Sequence, residues 1–457
     1  MKFGASQSMR SGVISPVILI VFFNLLDVCD GSSSSDCSNK KRKVDDVSSA
    51  PFRMPLTIEL IEKENYDAQT HNVTVKVGKR IEIKQTKGSK NVDGEREYMD
   101  QFKIQIFRIR DPKRLRIRKL PVVFLLHGLC GSSSDYVFGG KRDSLGFYLA
   151  DAGYDVWIGN FRGNYYGGLN HYKNLPDFWD FSFHEMGIYD LPAQIDFILT
   201  TTGQKKLYYI GFSMGTTASY VLLSQRPEYN KKIERMISMA PVAFMDRSHF
   251  TMFKTKAIAN YHAFADDLME LTHKIRLSYL LGPVEYFSVP KCYKASYSKK
   301  CEKSFALIAS TNESIYNPEL RREFYEIMPV GVSFKTISHY LQVARRGEFK
   351  PYTYYKSENM RRYGLEKVGE YNLTKVNVPI LLLTAKKDIV GCDLMLGRLR
   401  AHLNGPGMEE KVKTHTVKND QFMHTDYFLS KNLEELVLKP VLSYLKYGNT
   451  ADDRKTP

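Results

Sequence analysis

Leu207-Tyr208-Tyr209-Ile210-Gly211-Phe212-Ser213-Met214-Gly215 is the stretch that decides the fold of this chain. Its apolar and aromatic start predicts a buried strand over Leu207–Ile210, and the residues Thr216–Ser224 that follow predict a helix. The G-x-S-x-G sequence between them matches a nucleophile elbow, a sharp strand-to-helix turn that exposes a serine hydroxyl above a sheet. A glycine-flanked turn without chemistry is the alternative, and the strand–turn–helix setting disfavours it.

Outward from this stretch, short apolar runs alternate with longer helical patterns from about residue 120. Alternation of this kind builds a mainly parallel sheet with helices on both faces, so we predict the α/β class. The predicted strands are Val122–Leu126, Tyr154–Ile158, Leu207–Ile210, Ile233–Met239, Ile380–Thr384 and Val412–Val417. The predicted helices include Ser144–Ala152, Ile188–Thr200, Thr216–Ser224 and Leu433–Tyr444.

One interval breaks this alternation. About 140 residues separate the strand Ile233–Met239 from the strand Ile380–Thr384, far more than an ordinary connection. The interval is rich in Phe, Tyr, Met and Lys and has apolar residues at helical spacing, which predicts an inserted, mainly helical cap over the carboxyl edge of the sheet. Residues 50–119 predict an added amino-terminal section with strands around Thr74–Val77 and Lys103–Phe107.

Two further residues follow predicted strands and suit the chemistry of an activated serine. Asp388 follows the strand Ile380–Thr384, and His424 follows the strand Val412–Val417. A serine hydroxyl needs a base to take its proton, and the base needs an acid to orient it. The chain order Ser213, Asp388, His424 is that of α/β-hydrolases. Asp393 is the competing acid, because it lies in the same loop.

The oxyanion of an ester-hydrolysis intermediate needs backbone donors that are already in position. One predicted donor is the amide of Met214, directly after the nucleophile. The other is the amide of Leu129 in His127-Gly128-Leu129-Cys130-Gly131, the loop after the first predicted strand. We expect His127 to fix this loop and not to act as the catalytic base, and we expect Asp426 to be structural.

Several stretches together resemble the acid lipases, a family that includes gastric and lysosomal acid lipases and related sterol ester hydrolases. The similarity covers about Pro121 to Tyr447 and is found in PVVFLLHGL, LADAGYDVWIGNFRGN, FSFHEMGIYDLPAQIDFI, TGQKKLYYIGFSMGTT, NVPILLLTAKKDIV and FMHTDYFLS. The resemblance implies an α/β-hydrolase fold with an inserted helical cap or lid. It also implies Ser213 as nucleophile, Asp388 as orienting acid and His424 as general base, with Leu129 and Met214 as oxyanion donors.

The resemblance implies further features and shows departures. Cys292 and Cys301 fall where the family has a lid disulfide, and Asn372 falls on a familiar glycosylation position. The family usually has histidine and glutamine beside the serine, where this chain has Phe212 and Met214. Lys386-Lys387 replaces the family's usual glycine pair before the acid.

The amino terminus predicts a secretory route. Basic residues precede a short apolar run in residues 1–31, which is typical of a signal peptide, with an uncleaved signal anchor as the alternative. The sequons at Asn72, Asn312 and Asn372 are compatible with that route. The predicted organisation is then a polar linker (32–50), a hydrolase core in two parts (51–244 and 371–447), the cap (245–370) and a disordered tail (448–457). Lys40-Lys41-Arg42-Lys43 could be a nuclear address, which a secretory signal would make ineffective.

Composition narrows the function classes. The chain has 457 residues, 43% of them hydrophobic and 25% charged, which excludes disorder for most of its length. Its net charge of +16 favours anionic surfaces, but no nucleic-acid-binding motif accompanies the basic runs. We predict a secreted or lysosomal carboxylic ester hydrolase that acts on neutral lipids at a lipid–water interface, with no cofactor, no metal and no required protein partner. A catalytically silent hydrolase fold that binds lipid or protein is the alternative.

The basic segment that begins at Lys113 either attracts anionic headgroups or only solvates an exposed face.

Overall fold

A computed structural model describes residues 54–83, 95–167, 179–245, 312–405 and 411–450, without positions 55, 118, 313, 329 and 392. The predicted signal peptide, the linker and both Cys292 and Cys301 lie outside these residues. The first three residues of the predicted tail, 448–450, are among the described residues. The Asn449 carbonyl accepts a hydrogen bond from Ser443 Oγ (2.9 Å), and Thr450 is buried. The other domain boundaries stay predictions.

The described strands form one eight-stranded sheet in the order β1-β2-β4-β3-β5-β6-β7-β8. Strands β3 to β8 are parallel to one another, while β1 and β2 form an antiparallel hairpin that joins the sheet through β4. The bounds are β1 Asp67–Ile83, β2 Glu95–Arg110, β3 Val122–Leu126, β4 Asp155–Gly159, β5 Leu207–Phe212, β6 Ile233–Met239, β7 Ile380–Thr384 and β8 Val412–Thr416. The predicted mainly parallel sheet is therefore confirmed.

Helices cover both faces of this sheet, so its central strands are buried from end to end. Along β3, Phe124 and Leu126 enter one apolar cluster, whereas Val123 and Leu125 enter the cluster on the opposite face. The labelled helices are α1 Thr57–Lys63, α2 Leu145–Asp151, α3 Leu191–Thr202, α4 Met214–Gln225, α5 Pro318–Ile327, α6 Phe334–Arg346, α7 Lys356–Tyr363, α8 Asp393–Asn404 and α9 Lys439–Tyr447. No helix among the described residues is long and apolar enough to cross a bilayer.

The amino-terminal hairpin is longer than its sequence predicted. The predicted strands around Thr74–Val77 and Lys103–Phe107 lie inside β1 and β2, which have 17 and 16 residues. Only Phe107, Arg108 and Ile109 of β2 pair with β4. Among the described strands, the other residues of β2 pair only with β1. Many residues of both strands are polar, so the sequence has no apolar pattern there that would predict the full length of the strands.

The interval between β6 and β7 contains α5, α6 and α7, and ion pairs join the last two to the core. Lys335 of α6 is buried, and its Nζ lies 3.1 Å from Asp180 Oδ1 and 3.4 Å from Glu185 Oε1. Arg362 of α7 donates to Asp180 Oδ2 at 2.6 Å. We call these four residues the junction cluster. Its carboxylates belong to the core, and its cations belong to the helices of the interval.

A second buried ion pair lies within the core itself. Arg162 follows β4 and donates through Nε to Asp190 Oδ1 (2.8 Å), and its backbone N–H donates to Asp190 Oδ2 (3.1 Å). Both side chains are almost inaccessible to solvent, and the guanidinium also lies 4.0 Å from the ring centre of Phe102. Removing one member of such a pair leaves an uncompensated charge in a low-dielectric interior.

We predict that Asp190→Asn lowers the free energy of unfolding by about 3–5 kcal/mol, because Arg162 would stay charged and buried without its partner. Urea denaturation of the purified protein measures this change. The control is Glu234→Gln, which removes an exposed ion pair with Lys206 and is expected to cost only about 0–1 kcal/mol. Equal costs for the two substitutions would contradict the assignment.

Candidate active site

Ser213 lies in the tight turn between β5 and α4. Its backbone has φ 49° and ψ −110°, a conformation that is strained for a residue with a side chain. The turn is possible because glycine flanks it. A Cβ on Gly211 would lie 2.7 Å from the Gly215 carbonyl carbon, and a Cβ on Gly215 would overlap the Leu126 carbonyl oxygen. This geometry is that of the predicted elbow.

The structure brings together the three side chains that the sequence singled out. His424 Nε2 lies 2.9 Å from Ser213 Oγ, and His424 Nδ1 lies 2.8 Å from Asp388 Oδ2 and 3.0 Å from Oδ1. All three residues are at least 90% buried. One imidazole thus bridges a hydroxyl and a carboxylate in an environment with little water.

Local backbone structure holds Asp388 and His424 in place. Asp388 Oδ1 accepts hydrogen bonds from the N–H groups of Val390 (2.9 Å) and Gly391 (3.2 Å) in the loop after β7. Asp426 Oδ2 accepts from the Met423 N–H (2.8 Å), which fixes the turn that contains His424. Asp393, the competing acid, begins α8, and its side chain lies outside the described set.

His127 fixes the loop that follows β3. Its Nδ1 hydrogen-bonds to the Gly128 carbonyl (2.8 Å), and its Nε2 accepts from the Phe161 N–H (3.2 Å). Since the second bond needs an unprotonated Nε2, the ring is the neutral Nδ1–H tautomer. Burial lowers the pKa of His127 to about 4, which agrees with a neutral ring. The residue does not contact Ser213 Oγ through any bond in the described part of the chain.

The hydrogen bond between His127 Nδ1 and the Gly128 carbonyl orients the peptide between Gly128 and Leu129. A trans peptide points its C=O and N–H in opposite directions, so the Leu129 N–H points away from His127. Gly128 lies close to Ser213: a Cβ on Gly128 would be 3.2 Å from Ser213 Cβ. The Met214 N–H is at the first position of α4, where a helix leaves its N–H groups without intrahelical partners. Both predicted donors therefore belong to backbone next to Ser213.

Sequence reasoning missed the contacts of Phe212. Its ring centre lies 5.1 Å from that of His424 and 4.7 Å from that of Phe428. On its other side, a Cβ on Gly128 would come within 2.9 Å of Phe212 Cδ1. The ring of Phe212 thus fills the space between His424 and the loop of Leu129. The unusual aromatic residue before the serine was the only available signal.

Sequence reasoning also missed a buried polar network behind the loop. Asn160 Nδ2 donates to Ser133 Oγ (3.0 Å), and Asn164 Nδ2 donates to Asn160 Oδ1 (2.8 Å). Gln194 of α3 accepts from the Asn160 N–H (3.2 Å) and donates to its carbonyl (2.9 Å). A signal existed in the polar residues of the stretch Ile158-Gly159-Asn160-Phe161-Arg162-Gly163-Asn164, which interrupts an otherwise apolar region.

The remaining predicted residues are placed as follows. Asn72, Asn312 and Asn372 are all exposed, which an attached glycan requires. Thr374 Oγ1 donates to Asn372 Oδ1 (2.6 Å), and Ser314 Oγ donates to Asn312 Oδ1 (2.9 Å). These bonds show that each hydroxyl lies against the amide that would be modified.

Comparisons with known proteins identify the family of this chain. An α/β-hydrolase-fold model matches residues 121–283, and a model of a partial α/β-hydrolase lipase region matches residues 97–140. Gastric triacylglycerol lipase of Bos taurus is 34% identical over 311 residues, which cover 66% of this chain and 77% of the relative. The chain belongs to the acid lipase family. The predicted family, α/β-hydrolase fold and enzyme class are confirmed, so this member is a serine lipase or esterase.

Two other known proteins are similar to this acid lipase family member. A putative lysosomal acid lipase/cholesteryl ester hydrolase of Crotalus adamanteus is 33% identical over 272 residues, which cover 59% of this chain and 66% of the relative. The crystal structure of a putative lipase from Sulfolobus solfataricus has a TM-score of 0.46 and 14% identity, and it covers 77% of this chain and 91% of its own.

We predict that His127 makes this enzyme less stable as the pH falls. Its pKa is about 4 in the folded protein but near 6.5 in the unfolded chain, so the unfolded state binds more protons between these values. The free energy of unfolding should therefore fall by about 2 kcal/mol between pH 7 and pH 5 through this histidine. Burial raises the pKa of Asp135 to about 7, which acts in the opposite direction.

A comparison with His127→Gln isolates the histidine from Asp135. Glutamine can donate one hydrogen bond and accept another but does not titrate. Urea denaturation at pH 7, 6 and 5 should therefore show that the variant gains about 2 kcal/mol in free energy of unfolding relative to the unsubstituted protein between pH 7 and pH 5. A pH-independent difference would contradict the prediction.

Proposed function

We propose that this enzyme hydrolyses esters of neutral lipids through an acyl-enzyme intermediate formed on Ser213. The observation that supports the proposal most strongly is the hydrogen-bonded series of Ser213 Oγ, His424 and Asp388, with distances of 2.9 and 2.8 Å. Such a series gives a serine the base and the oriented tautomer that acyl transfer needs. A glycine-flanked turn without chemistry would not need these partners for its serine.

The proposed reaction has two steps. Ser213 Oγ attacks the ester carbonyl carbon while His424 Nε2 accepts the hydroxyl proton; the bond from that carbon to the alkoxy oxygen then breaks, and the alcohol leaves with the proton from His424. Water then attacks the acyl-enzyme, gives its proton to His424 and releases the fatty acid as Ser213 regains its proton. Asp388 stabilises the imidazolium in both steps. The N–H groups of Leu129 and Met214 are the proposed donors to the oxyanion.

Neutral lipids are the substrate class that the surroundings of Ser213 favour. Phe212 and Met214 flank the serine, and the half-buried Leu129 packs against the same apolar cluster as Met214. Acylglycerols and sterol esters present long apolar chains to such a site. The relatives named above support the proposal, since one is named a triacylglycerol lipase and another a cholesteryl ester hydrolase.

The interval between β6 and β7 is the proposed cap. The Val330 N–H donates to the Cys130 carbonyl (3.0 Å) in the loop after β3, and Tyr340 Oη donates to Thr217 Oγ1 (3.0 Å) in α4. These contacts join the interval to both elements beside Ser213. We propose that the cap covers the site away from lipid and opens at a lipid–water interface, which sequesters apolar surface from water.

The route proposed for this enzyme is the secretory one, towards secretion or the lysosome. It rests on the predicted signal peptide and on the three exposed sequons, of which Asn72 lies in β1 and Asn372 precedes β7. The Cys292–Cys301 disulfide, both of whose residues lie outside the described part of the chain, is part of the same proposal. We propose no cofactor, metal, nucleic acid or obligatory protein partner.

We predict that Ser213→Ala and His424→Ala each reduce ester hydrolysis by roughly 10⁴–10⁶-fold, because only binding and oxyanion stabilisation remain. Asp388→Asn should cost about 10⁴-fold, since it leaves the imidazole in the wrong tautomer. Initial rates on a soluble ester, together with labelling by an active-site serine probe, measure these effects. Ser219→Ala, in the same helix, is the matched control and should stay active, because its hydroxyl donates to the Thr216 carbonyl within α4 (2.7 Å) and not to His424 or Asp388.

Two results would contradict the assignments. Normal activity in Asp388→Asn with no activity in Asp393→Asn would make Asp393 the acid. Absence of both probe labelling and hydrolysis in the folded, unsubstituted protein would favour the silent lipid- or protein-binding alternative.

We also predict that long-chain neutral esters are hydrolysed faster as an emulsion than as dispersed monomers, because a lipid surface stabilises the open cap. The measurement compares hydrolysis rates on triacylglycerol and cholesteryl ester emulsions with rates on a short-chain ester. Each ester is tested at concentrations below and above its solubility limit. Rates that show no increase when an interface forms would indicate a soluble esterase with a fixed cap, while the assignments of Ser213 and His424 would be unaffected.

A further inference from the structure

One exposed segment joins basic and apolar side chains directly before β3. Lys113, Arg116 and Lys119 are exposed, and between them Leu115 is 40% and Ile117 is 50% exposed. Within the described residues, none of the three cations lies within ion-pair distance of a carboxylate. The segment therefore presents net positive charge and aliphatic surface to solvent at the same place.

The segment is held in a defined shape by neighbouring loops. Arg114, which it contains, bonds through Nε to Asp111 Oδ2 (3.2 Å) and through Nη2 to the Asp151 carbonyl (3.3 Å). At its far end the Leu120 carbonyl accepts from Gln204 Nε2 (3.3 Å). These bonds link it to the loops before β4 and β5, so its exposed side chains project from a fixed base.

The same edge of the sheet carries further lysines. Parallel strands begin at one edge, where the residues before β5 are next to the segment that precedes β3 and the residues before β6 follow one strand further along. Lys205 before β5 and Lys231 before β6 are exposed, and neither has an ion-pair partner among the described residues. We define the basic edge as Lys113, Leu115, Arg116, Ile117, Lys119, Lys205 and Lys231.

The basic edge lies opposite the site. Ser213 follows the carboxyl end of β5, while the basic edge precedes the amino ends of β3, β5 and β6. The strand length between them is about 15 Å. The segment that begins at Lys113 therefore does not border the surface through which a lipid would reach Ser213, and its charges need another explanation than substrate attraction.

We infer that the basic edge docks this enzyme on an anionic phospholipid bilayer, with Ser213 directed away from that membrane. Clustered Lys and Arg residues are attracted to anionic headgroups, and exposed aliphatic side chains among them can enter the headgroup region. A soluble polyanion would use the charges but would gain nothing from Leu115 and Ile117. The charge and the apolar surface together thus favour a bilayer.

Co-sedimentation of the full chain with vesicles tests this inference. The vesicles contain ether-linked phosphatidylcholine, which an ester hydrolase cannot cleave, with or without ether-linked phosphatidylglycerol. We expect binding only with phosphatidylglycerol and a strong decrease at high salt, because salt screens exposed charges. Each basic side chain should strengthen partitioning about fivefold, so K113Q/R116Q/K119Q should bind roughly 100-fold more weakly.

A matched control removes the same number of charges elsewhere. R142Q/K356Q/K439Q neutralises three exposed cations outside the basic edge, each of which lies close to a carboxylate. This variant should bind vesicles as the parent protein does. An equal loss in both variants would show that only net charge matters and would overturn the inference.

A second pair of measurements separates a bilayer from a polyanion. L115S/I117S should bind vesicles roughly tenfold more weakly but should bind heparin unchanged. Undiminished vesicle binding by this variant would overturn the bilayer as partner. Vesicle-bound protein should also hydrolyse a soluble short-chain ester at the rate of free protein, and blocked hydrolysis would contradict the orientation. Sedimentation measures vesicle binding and does not depend on catalysis. The docking inference can therefore hold or fail independently of the proposed ester hydrolysis.

Discussion

The geometry of the candidate active site depends on one close contact, in which the first turn of α4 packs against the end of β3. Position 215 has no room for a Cβ beside the Leu126 carbonyl, and position 128 has almost none beside Phe212 and Ser213. Because both positions are glycine, the turn that contains the serine and the loop that contains Leu129 can lie in contact. A side chain at either position would push the loop of Leu129, whose backbone amide is one of the proposed oxyanion donors, away from Ser213. The hydrogen bonds of His424 and Asp388 orient the side chains around Ser213, and this contact brings the loop of Leu129 to the same place.

Buried polar groups support that contact at some distance. His127, Asn160, Asn164 and Gln194 form a continuous hydrogen-bonded series from the loop after β3 to helix α3. Groups that are buried and fully bonded resist displacement, since moving one leaves its partner unsatisfied in a medium of low dielectric. The junction cluster uses the same physics between the core and the helices of the interval. Lys335 opposes the effect of burial and lowers the pKa of Glu185 to about 2, so the carboxylate stays charged in acid.

The sequence was sufficient to predict the central strands and the candidate catalytic residues. Strands β3, β6 and β7 have the predicted bounds, because buried parallel strands are short apolar runs between turn residues. Ser213, Asp388 and His424 were found because each follows such a strand. The length of the β1–β2 hairpin was not predicted, since its polar residues give no apolar pattern. The ion pair of Arg162 with Asp190 and the contact of Phe212 with His424 join residues that are 28 and 212 positions apart in the chain. Pairings of that kind arise from the packing and leave no local mark.

The position of the interval also sets the order in which the molecule can assemble. Strands β1 to β6 and Ser213 precede the interval, whereas Asp388 and His424 follow it. Pairing β7 with β6 closes a segment of about 140 residues, which costs about 4 kcal/mol of chain entropy before any contact of β7 repays it. Non-local pairing of this kind is slow. During synthesis, Ser213 is therefore enclosed in its turn while the proposed base and acid are still absent, and the nascent chain gains the complete candidate site only when the last two strands have joined the sheet.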